Sequence, residues 1–191
     1  MRVFCAIDVS DEVKERLRQR QLRLKELLPH SLLSYPRIEN IHLTLHFLGH
    51  VDPSRVGDVR IAVEQICQRS LALEIRLGGN GIFPRSGNPR TLWAAAEDDT
   101  TRLASLQGQI YSALLPWTEK PGDNAFVPHL TLARVKRLHP RERKALTERW
   151  LNESNDSAQS WPVQSVSLYS SMLSPGGSIY NRLAECVLCA D

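Results

Sequence analysis

The sequence His-Leu-Thr-Leu occurs at residues 42–45 and again at residues 129–132. Side chains of a β-strand alternate between its two faces, so each copy places its histidine and threonine on one face and its two leucines on the other. One such segment is typical of an ordinary half-buried strand. Two copies in matching places of a chain whose halves otherwise differ indicate a shared role for the polar pair, because packing alone requires neither histidine nor threonine.

The regions around the two copies share one outline, namely a strand, a helix, the HLTL strand, a second helix and a third strand. Apolar residues at helical spacing predict the helices, and apolar runs or alternations predict the strands. Helices are expected at residues 10–28, 53–67, 100–115 and 140–151. Strands are expected at 2–8, 40–48, 71–77, 90–97 and the second HLTL segment, followed by a hairpin of 163–173 and 179–188.

This repeated order predicts an α+β fold in which residues 1–191 form one bilobal domain. We expect a duplicated α/β unit with two antiparallel-rich sheets that face a central cleft and are related by a pseudo-two-fold axis. The two HLTL strands would then face each other across the cleft. A chain of 191 residues is long enough for one domain or for two small lobes that share an interface.

The composition is that of an ordinary globular protein, with 42% hydrophobic residues and a formal net charge of +3. This mildly basic balance permits an anionic ligand, and no block of like charge is long enough for a nucleic-acid-binding tail. The N-terminus lacks the apolar segment of a signal peptide, and no stretch has the length of a membrane span. We therefore expect a cytoplasmic protein, a monomer, with no membrane partner.

The cysteines predict reduced thiols and no bound metal. Cys5 lies in an apolar run and Cys67 on a helical pattern, as is typical of core thiols. The pair Cys186-x-x-Cys189 has the spacing of a zinc or redox motif, but it stands alone, and a structural zinc site usually takes four ligands. We expect no metal and no other cofactor.

The chemistry open to the two polar pairs is acid–base catalysis. Histidine titrates near neutral pH, so one imidazole, neutral, can accept a proton while the other, protonated, donates one. The two threonine hydroxyls can donate hydrogen bonds to phosphate oxygens. No carboxylate accompanies the motifs, and neither a GxxxxGK nucleotide loop nor a nucleophile elbow is present. The residues thus favour metal-free cleavage of a phosphodiester by water, with His42 and His129 as the acid–base pair.

Two further residues lie close to the motifs along the chain. Arg134 follows His129 by five residues, an odd spacing that would place it on the opposite face of a regular strand. It can reach the phosphate site only if a bend or bulge interrupts the strand. In a regular strand, His46 would share the polar face of His42 and Thr44 and would add a third imidazole there.

The paired motifs resemble those of the two-histidine (2H) phosphoesterases, and in particular the LigT-like branch of RNA 2′,3′-cyclic phosphodiesterases. The resemblance covers nearly the whole chain in order. The matching segments are RVFCAID (2–8), ENIHLTLHFLG (39–49), GIFPRSGNPRTLWAAA (81–96), FVPHLTLAR (126–134) and LYSSMLSPGGSIYNRLAE (168–185). His46 departs from the pattern, because a lysine is common at that place in the family.

The resemblance implies a metal-free enzyme that hydrolyses a terminal 2′,3′-cyclic phosphate, on an RNA end or a cyclic nucleotide, to a 2′-phosphomonoester. It also implies a side activity that joins RNA ends through 2′–5′ linkages and reverses the joining. Carried over to this sequence, His129 would activate water and His42 would protonate the departing 3′ oxygen. Thr44, Thr131 and Arg134 would hold the phosphate.

The loop between the two halves is expected to lie where the nucleotide extends from the phosphate. Its residues Phe83, Arg85, Arg90 and Trp93 include aromatic rings and guanidinium groups that can stack on a base. We take Phe83 and Arg90 as candidate substrate-binding residues. Packing is the simpler interpretation of Trp93, which lies in the middle of a predicted strand.

Two other functions are compatible with the sequence. A catalytically silent module that binds RNA or nucleotides would keep the cleft, although binding alone does not need a proton donor and a proton acceptor. A hydrolase of a different small cyclic phosphate, such as an ADP-ribose cyclic phosphate, would use the same residues. Turnover of a cyclic nucleotide in the presence of chelator distinguishes an enzyme from a silent binding module. A panel of substrates distinguishes an RNA-end phosphodiesterase from a hydrolase of another cyclic phosphate.

Overall fold

The computed structural model describes residues 1–27, 32–85, 87–122, 125–136, 140–153, 159–175 and 177–190. Its α-helices are α1 (Asp11–Leu27), α2 (Val56–Cys67), α3 (Arg102–Leu114) and α4 (Pro140–Asn152). Its strands are β1 (Arg2–Ile7), β2 (Leu33–Ser34), β3 (Leu43–His50), β4 (Leu73–Phe83), β5 (Thr91–Glu97), β6 (His129–Val135), β7 (Ser160–Val163), β8 (Ser165–Ser174) and β9 (Gly177–Val187).

The four predicted helices are confirmed to within three residues at each described end. Residue 28, the last of the first predicted helix, lies outside the described residues. The start of α1 is capped by Ser10, whose hydroxyl accepts a hydrogen bond from the backbone of Val13. The start predicted at residue 53 is a 3₁₀ turn, Pro53–Arg55, which leads into α2. Strong apolar periodicity explains why these elements follow from the sequence.

The prediction missed two short strands, β2 and β7, and its largest boundary differences lie in β3 and β4. The third strand begins at Leu43 because Ile38–Asn40 forms a 3₁₀ turn, and β4 continues to Phe83 through what the sequence suggested was a loop. Glycine explains this second difference, since a Cβ at Gly81 would overlap with the indole of Trp93 on the neighbouring strand. Gly81 thus permits close packing within the sheet and does not mark a turn.

The described strands form one antiparallel sheet in the order β7-β4-β5-β6-β3-β1-β8-β9, with β2 paired to β6. The expectation of two separate sheets is therefore corrected. The two halves meet where β3 and β6 pair antiparallel through Leu43 and Leu130. The register of this contact is the one pair, so β3 and β6 join the halves over a short stretch.

The helices pack on strands of both halves. Helix α1, which follows β1, packs on β6, and helix α3, which follows β5, packs on β3. Helix α2 packs on β8 and β9, and α4 packs on β4. All four motif leucines are at most 3% exposed, so the apolar face of each HLTL strand lies in the core. Among the described residues, no helix has the length and apolar character needed to cross a bilayer.

Each HLTL strand contains a β-bulge at its last leucine. Ala6 and Cys5 of β1 pair with Thr44 and His46, which leaves Leu45 as the extra residue. Trp93 and Leu92 of β5 pair with Thr131 and Ala133, which leaves Leu132 as the extra residue. The same motif position is therefore bulged in both halves, and beyond it the side chains change face.

A buried glutamine supports each bulge. Gln107 of α3 donates from Nε2 to the carbonyl oxygen of Leu45 at 3.2 Å. Gln21 of α1 donates from Nε2 to the carbonyl oxygen of Leu132 at 3.0 Å. A bulge removes a residue from the ladder of backbone hydrogen bonds, and a buried carbonyl without a partner is costly. The two glutamines, both 5% exposed, therefore make the bulges tolerable inside the core.

Candidate active site

The polar faces of both HLTL strands line one cleft of about 510 Å³. His42 and Thr44 reach it from the first half of the chain, and His129, Thr131 and Arg134 reach it from the second. The two motifs lie side by side because Leu43 and Leu130, their second residues, pair in antiparallel strands. The residues that flank this pair are His42 and Thr44 in the first half and His129 and Thr131 in the second, so the pairing brings both motifs to one cleft.

Both imidazoles are held in the same tautomer by the main chain. Nδ1 of His42 lies 2.8 Å from the carbonyl oxygen of Asn40, and Nδ1 of His129 lies 2.8 Å from that of Val127. A carbonyl can only accept, so each Nδ1 carries the proton and donates it. Each Nε2 is then left for the cleft, where it can accept a proton from a neutral ring or donate one from a charged ring.

Aromatic rings fix the imidazole of His42. The ring of Phe4 on β1 stacks on it with centroids 4.7 Å apart and an interplanar angle of 27°. Tyr180 on β9 meets it edge-on at 5.3 Å. Such packing restricts the ring, so the nitrogen that faces the cleft keeps a fixed direction.

The imidazole of His129 has a matching aromatic environment. Phe83 meets it edge-on at a centroid distance of 4.9 Å, and Trp93 lies 6.0 Å away. Trp93 is only 9% exposed, in agreement with the packing interpretation. Phe83 packs against Trp93 at 5.1 Å and lines a smaller neighbouring cavity of about 390 Å³. Its ring thus supports His129, and its contact with a base stays a prediction.

Arg90 lies apart from these groups. It is an exposed residue of the turn between β4 and β5, and its backbone nitrogen donates to the carbonyl oxygen of Phe83 at 2.6 Å. Of the residues that the structure describes, it is not among those that line the 510 Å³ cleft. A role for its guanidinium in substrate binding remains a prediction from the sequence. Arg85 is likewise exposed in this turn.

The bulge at Leu132 brings Arg134 to the cleft. Thr131 points to the cleft, Leu132 and Ala133 are both buried, and Arg134 is exposed and lines the cleft again. The bulge that the spacing of Arg134 required is thus confirmed. Its guanidinium has no carboxylate partner in the described part of the chain, which leaves its planar fork available for a phosphate.

The bulge at Leu45 has the opposite effect on His46. The prediction that His46 shares the face of His42 and Thr44 is wrong, because the extra residue turns its side chain toward α3. There Nε2 of His46 lies 2.8 Å from the hydroxyl of Thr118, and its ring meets that of Tyr111 edge-on at 5.2 Å. His46 is 8% exposed and belongs to the packing beneath the site.

The cleft has a strongly cationic lining. Arg2, Arg37 and Arg134 line it, and none of the described residues that line it is an aspartate or a glutamate. Together with the two threonine hydroxyls, these groups match the charge and the acceptor oxygens of a phosphodiester. In the described residues, neither threonine hydroxyl has a hydrogen-bond partner, so both can donate to a ligand. No group of three or more His, Cys, Asp or Glu side chains in the same residues could hold a metal ion.

Comparison with known protein families identifies the family of this chain. The sequence profile described as the 2′-5′ RNA ligase superfamily matches residues 9–172.

The chain belongs to this superfamily of two-histidine phosphoesterases.

Named relatives cover almost the whole chain. A protein of Thermotoga maritima named RNA 2′,3′-cyclic phosphodiesterase is 33% identical over 97% of this chain and 95% of its own. A protein of the same name from Archaeoglobus fulgidus is 33% identical over 96% of this chain and 98% of its own. The match extends far beyond the two motifs, so the whole domain is shared with these superfamily members.

Solved structures share the fold. A crystal structure of a Thermus thermophilus protein has a TM-score of 0.82 and 28% identity, and covers 98% of both chains. Apo LigT of E. coli has a TM-score of 0.73 and 24% identity over 98% of this chain and 96% of its own. The mixed arrangement of helices and antiparallel strands is therefore that of LigT-like members of the superfamily.

The charges around the two cleft histidines differ. Burial lowers the pKa of His42 below its ordinary value, while the bond to Asn40 and the carboxylate of Asp8 act in the opposite direction. Burial also lowers the pKa of His129; the bond to Val127 raises it, and the guanidinium of Arg134 lowers it. A carboxylate thus favours the protonated form of His42, and a cation favours the neutral form of His129.

Asp8 owes its place to the β1–β3 ladder. Ile7, the last residue of β1, pairs with Leu43, so Asp8 comes next to His42. The carboxylate of Asp8 is fixed there by the hydroxyls of Ser167 at 2.7 Å and Tyr169 at 2.6 Å. Sequence reasoning missed Asp8, and the strand pairing that locates it is visible only in the fold.

Proposed function

We propose that the protein hydrolyses RNA-terminal 2′,3′-cyclic phosphate to a 2′-phosphomonoester by metal-free acid–base catalysis. The observation that carries the proposal is the pair of identically oriented imidazoles, His42 and His129, in a cleft lined by arginines and free of acidic residues in its described lining. The names of the relatives from Thermotoga and Archaeoglobus support this substrate class. Each imidazole offers Nε2 to the cleft, as proton transfer at both ends of a displacement requires.

The charges near each histidine support one direction of proton flow. We assign His129, beside Arg134, as the base and His42, beside Asp8, as the acid. Nε2 of His129 removes a proton from water as the water oxygen bonds to phosphorus. The bond between phosphorus and the 3′ oxygen breaks, and Nε2–H of His42 protonates that oxygen. The products are a 2′-phosphomonoester and a 3′ hydroxyl.

Thr44, Thr131 and Arg134 hold the phosphate in this scheme. The two hydroxyls and the guanidinium donate hydrogen bonds to the non-bridging oxygens, whose negative charge changes as water adds. A 5′ hydroxyl of a second RNA end in place of water would form a 2′–5′ phosphodiester by the same bond changes. This substitution accounts for 2′–5′ ligation as a reversible side activity.

The arrangement of elements supports a duplicated, bilobal origin with a pseudo-two-fold axis through the β3–β6 contact. The first leucines of the two motifs pair with each other, both last leucines are bulged, and Gln21 and Gln107 support the bulges from corresponding helices. Both catalytic imidazoles come from one chain, which supports action as a single-domain monomer. The four free cysteines support a reducing compartment, the cytoplasm.

The test of the proposal is turnover of a nucleoside 2′,3′-cyclic phosphate with excess chelator present. We expect complete conversion to the 2′-phosphate, identified by phosphorus NMR against both monophosphate standards. A panel with an ADP-ribose cyclic phosphate and a cyclic-phosphate-ended RNA ranks the substrates by kcat/KM. Binding without turnover, turnover that needs a divalent ion, or formation of the 3′-phosphate would each contradict the proposal.

The rate is expected to follow a bell-shaped dependence on pH. Burial disfavours the charged form of both imidazoles, so in the free enzyme both pKa values lie below the ordinary value and the maximum of kcat/KM lies below about pH 6.5. Bound phosphate favours the charged forms, so the bell for kcat is displaced to higher pH. Replacement of Asp8 by asparagine should move the alkaline limb to lower pH, because His42 then loses its proton more readily.

A pH profile of wild type and Asp8→Asn, with kcat and KM determined separately, measures these shifts. The limbs belong to the coupled pair of histidines and are compared as a pair. A profile with a single plateau and no descending limb would contradict paired acid–base catalysis. An unmoved alkaline limb in Asp8→Asn would contradict the influence of that carboxylate.

Removal of either motif hydroxyl is expected to lower the rate at every pH without shifting the two limbs of the pH profile. Thr44→Val and Thr131→Val should each reduce kcat by roughly 10- to 10³-fold, as removal of an oxyanion donor does. Valine keeps the β-branched shape, so the strand is preserved. Thr118→Val removes a hydroxyl that lies outside the cleft and serves as the matched control. Wild-type rates in both cleft variants would show that the threonines serve only the strand.

A further inference from the structure

A second cavity opens beside the catalytic groups. This side cavity, of about 390 Å³, shares Thr44, Phe47 and His129 with the 510 Å³ cleft, whereas His42, of the described residues, belongs to the cleft alone. The hydrolytic mechanism needs no room there beyond that of one water molecule. We propose that the side cavity is an acceptor site, which binds the nucleoside at the 5′-hydroxyl end of a second RNA, an inference that rests on the proposed function.

The direction of attack places the nucleophile on the side of this cavity. In displacement at phosphorus, the attacking and the leaving oxygens lie roughly in line on opposite sides of the phosphorus atom. The leaving 3′ oxygen is protonated by His42, so the nucleoside that carries the cyclic phosphate occupies the cleft. The nucleophile is activated by His129, which lines both cavities, and it therefore approaches from the side cavity.

The volume of the side cavity exceeds what hydrolysis uses. One water molecule occupies roughly 30 Å³ in the liquid, whereas pockets for small organic ligands begin near roughly 300 Å³. At about 390 Å³, the side cavity has room for a nucleoside next to His129. A nucleoside that fills it displaces the attacking water and brings its own hydroxyl to Nε2 of that residue.

The lining suits a nucleoside that carries a phosphate. The rings of Phe83, Tyr111 and Phe126, all half-buried, form its apolar walls. Lys120 adds an exposed ammonium group, and none of the described lining residues is an aspartate or a glutamate. An RNA with a free 5′ hydroxyl continues through a phosphate on the 3′ oxygen of its first nucleoside. Lys120 is the cation that would hold this phosphate.

The segment that presents Lys120 is fixed on both sides. Before it, the backbone nitrogen of Glu119 donates to the carbonyl oxygen of Leu48 at 2.7 Å. After it, the carbonyl oxygen of Gly122 accepts from the hydroxyl of Tyr111 at 2.8 Å. The wall of the side cavity is thus held in place without a ligand, which lowers the cost of ordering it around an acceptor.

The carboxylate next to Lys120 in the chain is engaged elsewhere. Oε2 of Glu119 accepts a hydrogen bond from the backbone nitrogen of His50 at 3.0 Å and lies 3.2 Å from Nδ1 of the same residue. Within the described ranges, Lys120 makes no ion pair. Its ammonium group is therefore available to an anionic acceptor, and a neutral alcohol does not gain this contact.

The transfer needs no reagent beyond the two RNA ends. The 5′ oxygen of the acceptor bonds to phosphorus and gives its proton to Nε2 of His129. The bond between phosphorus and the 3′ oxygen breaks, and that oxygen takes the proton from Nε2 of His42. The products are a 2′–5′ phosphodiester and a 3′ hydroxyl. Water and the acceptor compete for the same step, so occupancy of the side cavity sets the ratio of transfer to hydrolysis.

The experiment measures how the enzyme divides one donor between water and added alcohols. Adenosine 2′,3′-cyclic phosphate is the donor, and uridine 3′-phosphate, uridine and methanol are the acceptors, each at the same concentration. Chromatography gives the initial rates at which the 2′-linked diester and adenosine 2′-phosphate form. Wild type should transfer to uridine 3′-phosphate at least about 10-fold faster than to methanol, because a bound hydroxyl is held next to the reacting phosphorus.

Two variants of the side cavity should lower this transfer. Lys120→Gln should reduce the preference for uridine 3′-phosphate over uridine by roughly 2- to 5-fold, which is what an exposed ion pair contributes. Ala125→Trp narrows the cavity from an exposed position and should bring transfer to both nucleosides down to that to methanol. Lys14→Gln removes a lysine of α1 that lines neither cavity, so this control should keep every ratio.

The outcomes separate this inference from the proposed function. Transfer to the nucleosides no faster than to methanol in wild type, or an undiminished nucleoside preference in Ala125→Trp, would overturn the acceptor site. If wild type does not hydrolyse the donor, the proposed function fails. Calorimetric binding of uridine 3′-phosphate, with adenosine 2′-phosphate in the cleft, then decides the inference. Saturable binding that Ala125→Trp abolishes supports the acceptor site, and binding that is absent or that survives in this variant overturns it.

Discussion

Replacement of His129 by alanine is expected to reduce kcat by a factor of about 10²–10⁴, because the proton of the attacking water then loses its acceptor. Nδ1 of His129 is tied to the carbonyl oxygen of Val127, so only Nε2 can act, and alanine removes it. KM should change far less than kcat, since the threonines and Arg134 still hold the phosphate. The measurement is steady-state turnover of a nucleoside 2′,3′-cyclic phosphate near the wild-type optimum.

A matched histidine variant distinguishes loss of the base from loss of structure. His46 lies on the same sheet but faces Thr118 and Tyr111, outside the catalytic pair. His46→Ala should lower the melting temperature and keep most of the turnover, whereas His129→Ala should keep its fold and lose the turnover. A His129→Ala enzyme within a few-fold of wild type would show that the second motif serves the strand alone.

Replacement of His42 by alanine is expected to have a loss of similar size, about 10²–10⁴ in kcat, for a different reason. The 3′ oxygen is a poor leaving group unless it gains a proton as its bond to phosphorus breaks. Nε2–H of His42 supplies that proton, and Asp8 beside the ring favours the protonated form. The two losses should not multiply in the double variant, because the pair acts as a unit.

A substrate with sulfur in place of the 3′ oxygen separates the two roles. A thiolate leaves without prior protonation, so His42→Ala should recover most of its lost rate on a 3′-thio cyclic phosphate. His129→Ala should not recover, because water still needs a base. Recovery of His129→Ala and not His42→Ala would reverse the assignment, and recovery of neither would mean that leaving-group protonation does not limit the reaction.

The sequence indicated that His42 and His129 belong to one site because the signal of each motif is local, and both line the same cleft. The alternation of a strand fixes that His42 and Thr44 share one face and that the motif leucines share the other, whatever the rest of the fold. The five-residue spacing of Arg134 likewise implied a bulge, which the pairing of β6 with β5 contains. The same spacing separates His42 from Phe47, so the equivalent side-chain reversal in the first half, and with it the burial of His46, could have been inferred.

The sequence by itself determined the helices, the longer strands, the shared face of histidine and threonine in each motif, and the family, since each depends on residues that are neighbours in the chain. The tertiary structure alone decided that β3 and β6 join the halves into one sheet, that Asp8 lies beside His42, and that Arg2 meets Phe47. It also decided which side chains bond to the carbonyl groups at the bulges, because Gln21 lies 111 residues from Leu132 and Gln107 lies 62 residues from Leu45. Such contacts depend on which strands and helices pack together, and local residue patterns carry no information about that choice.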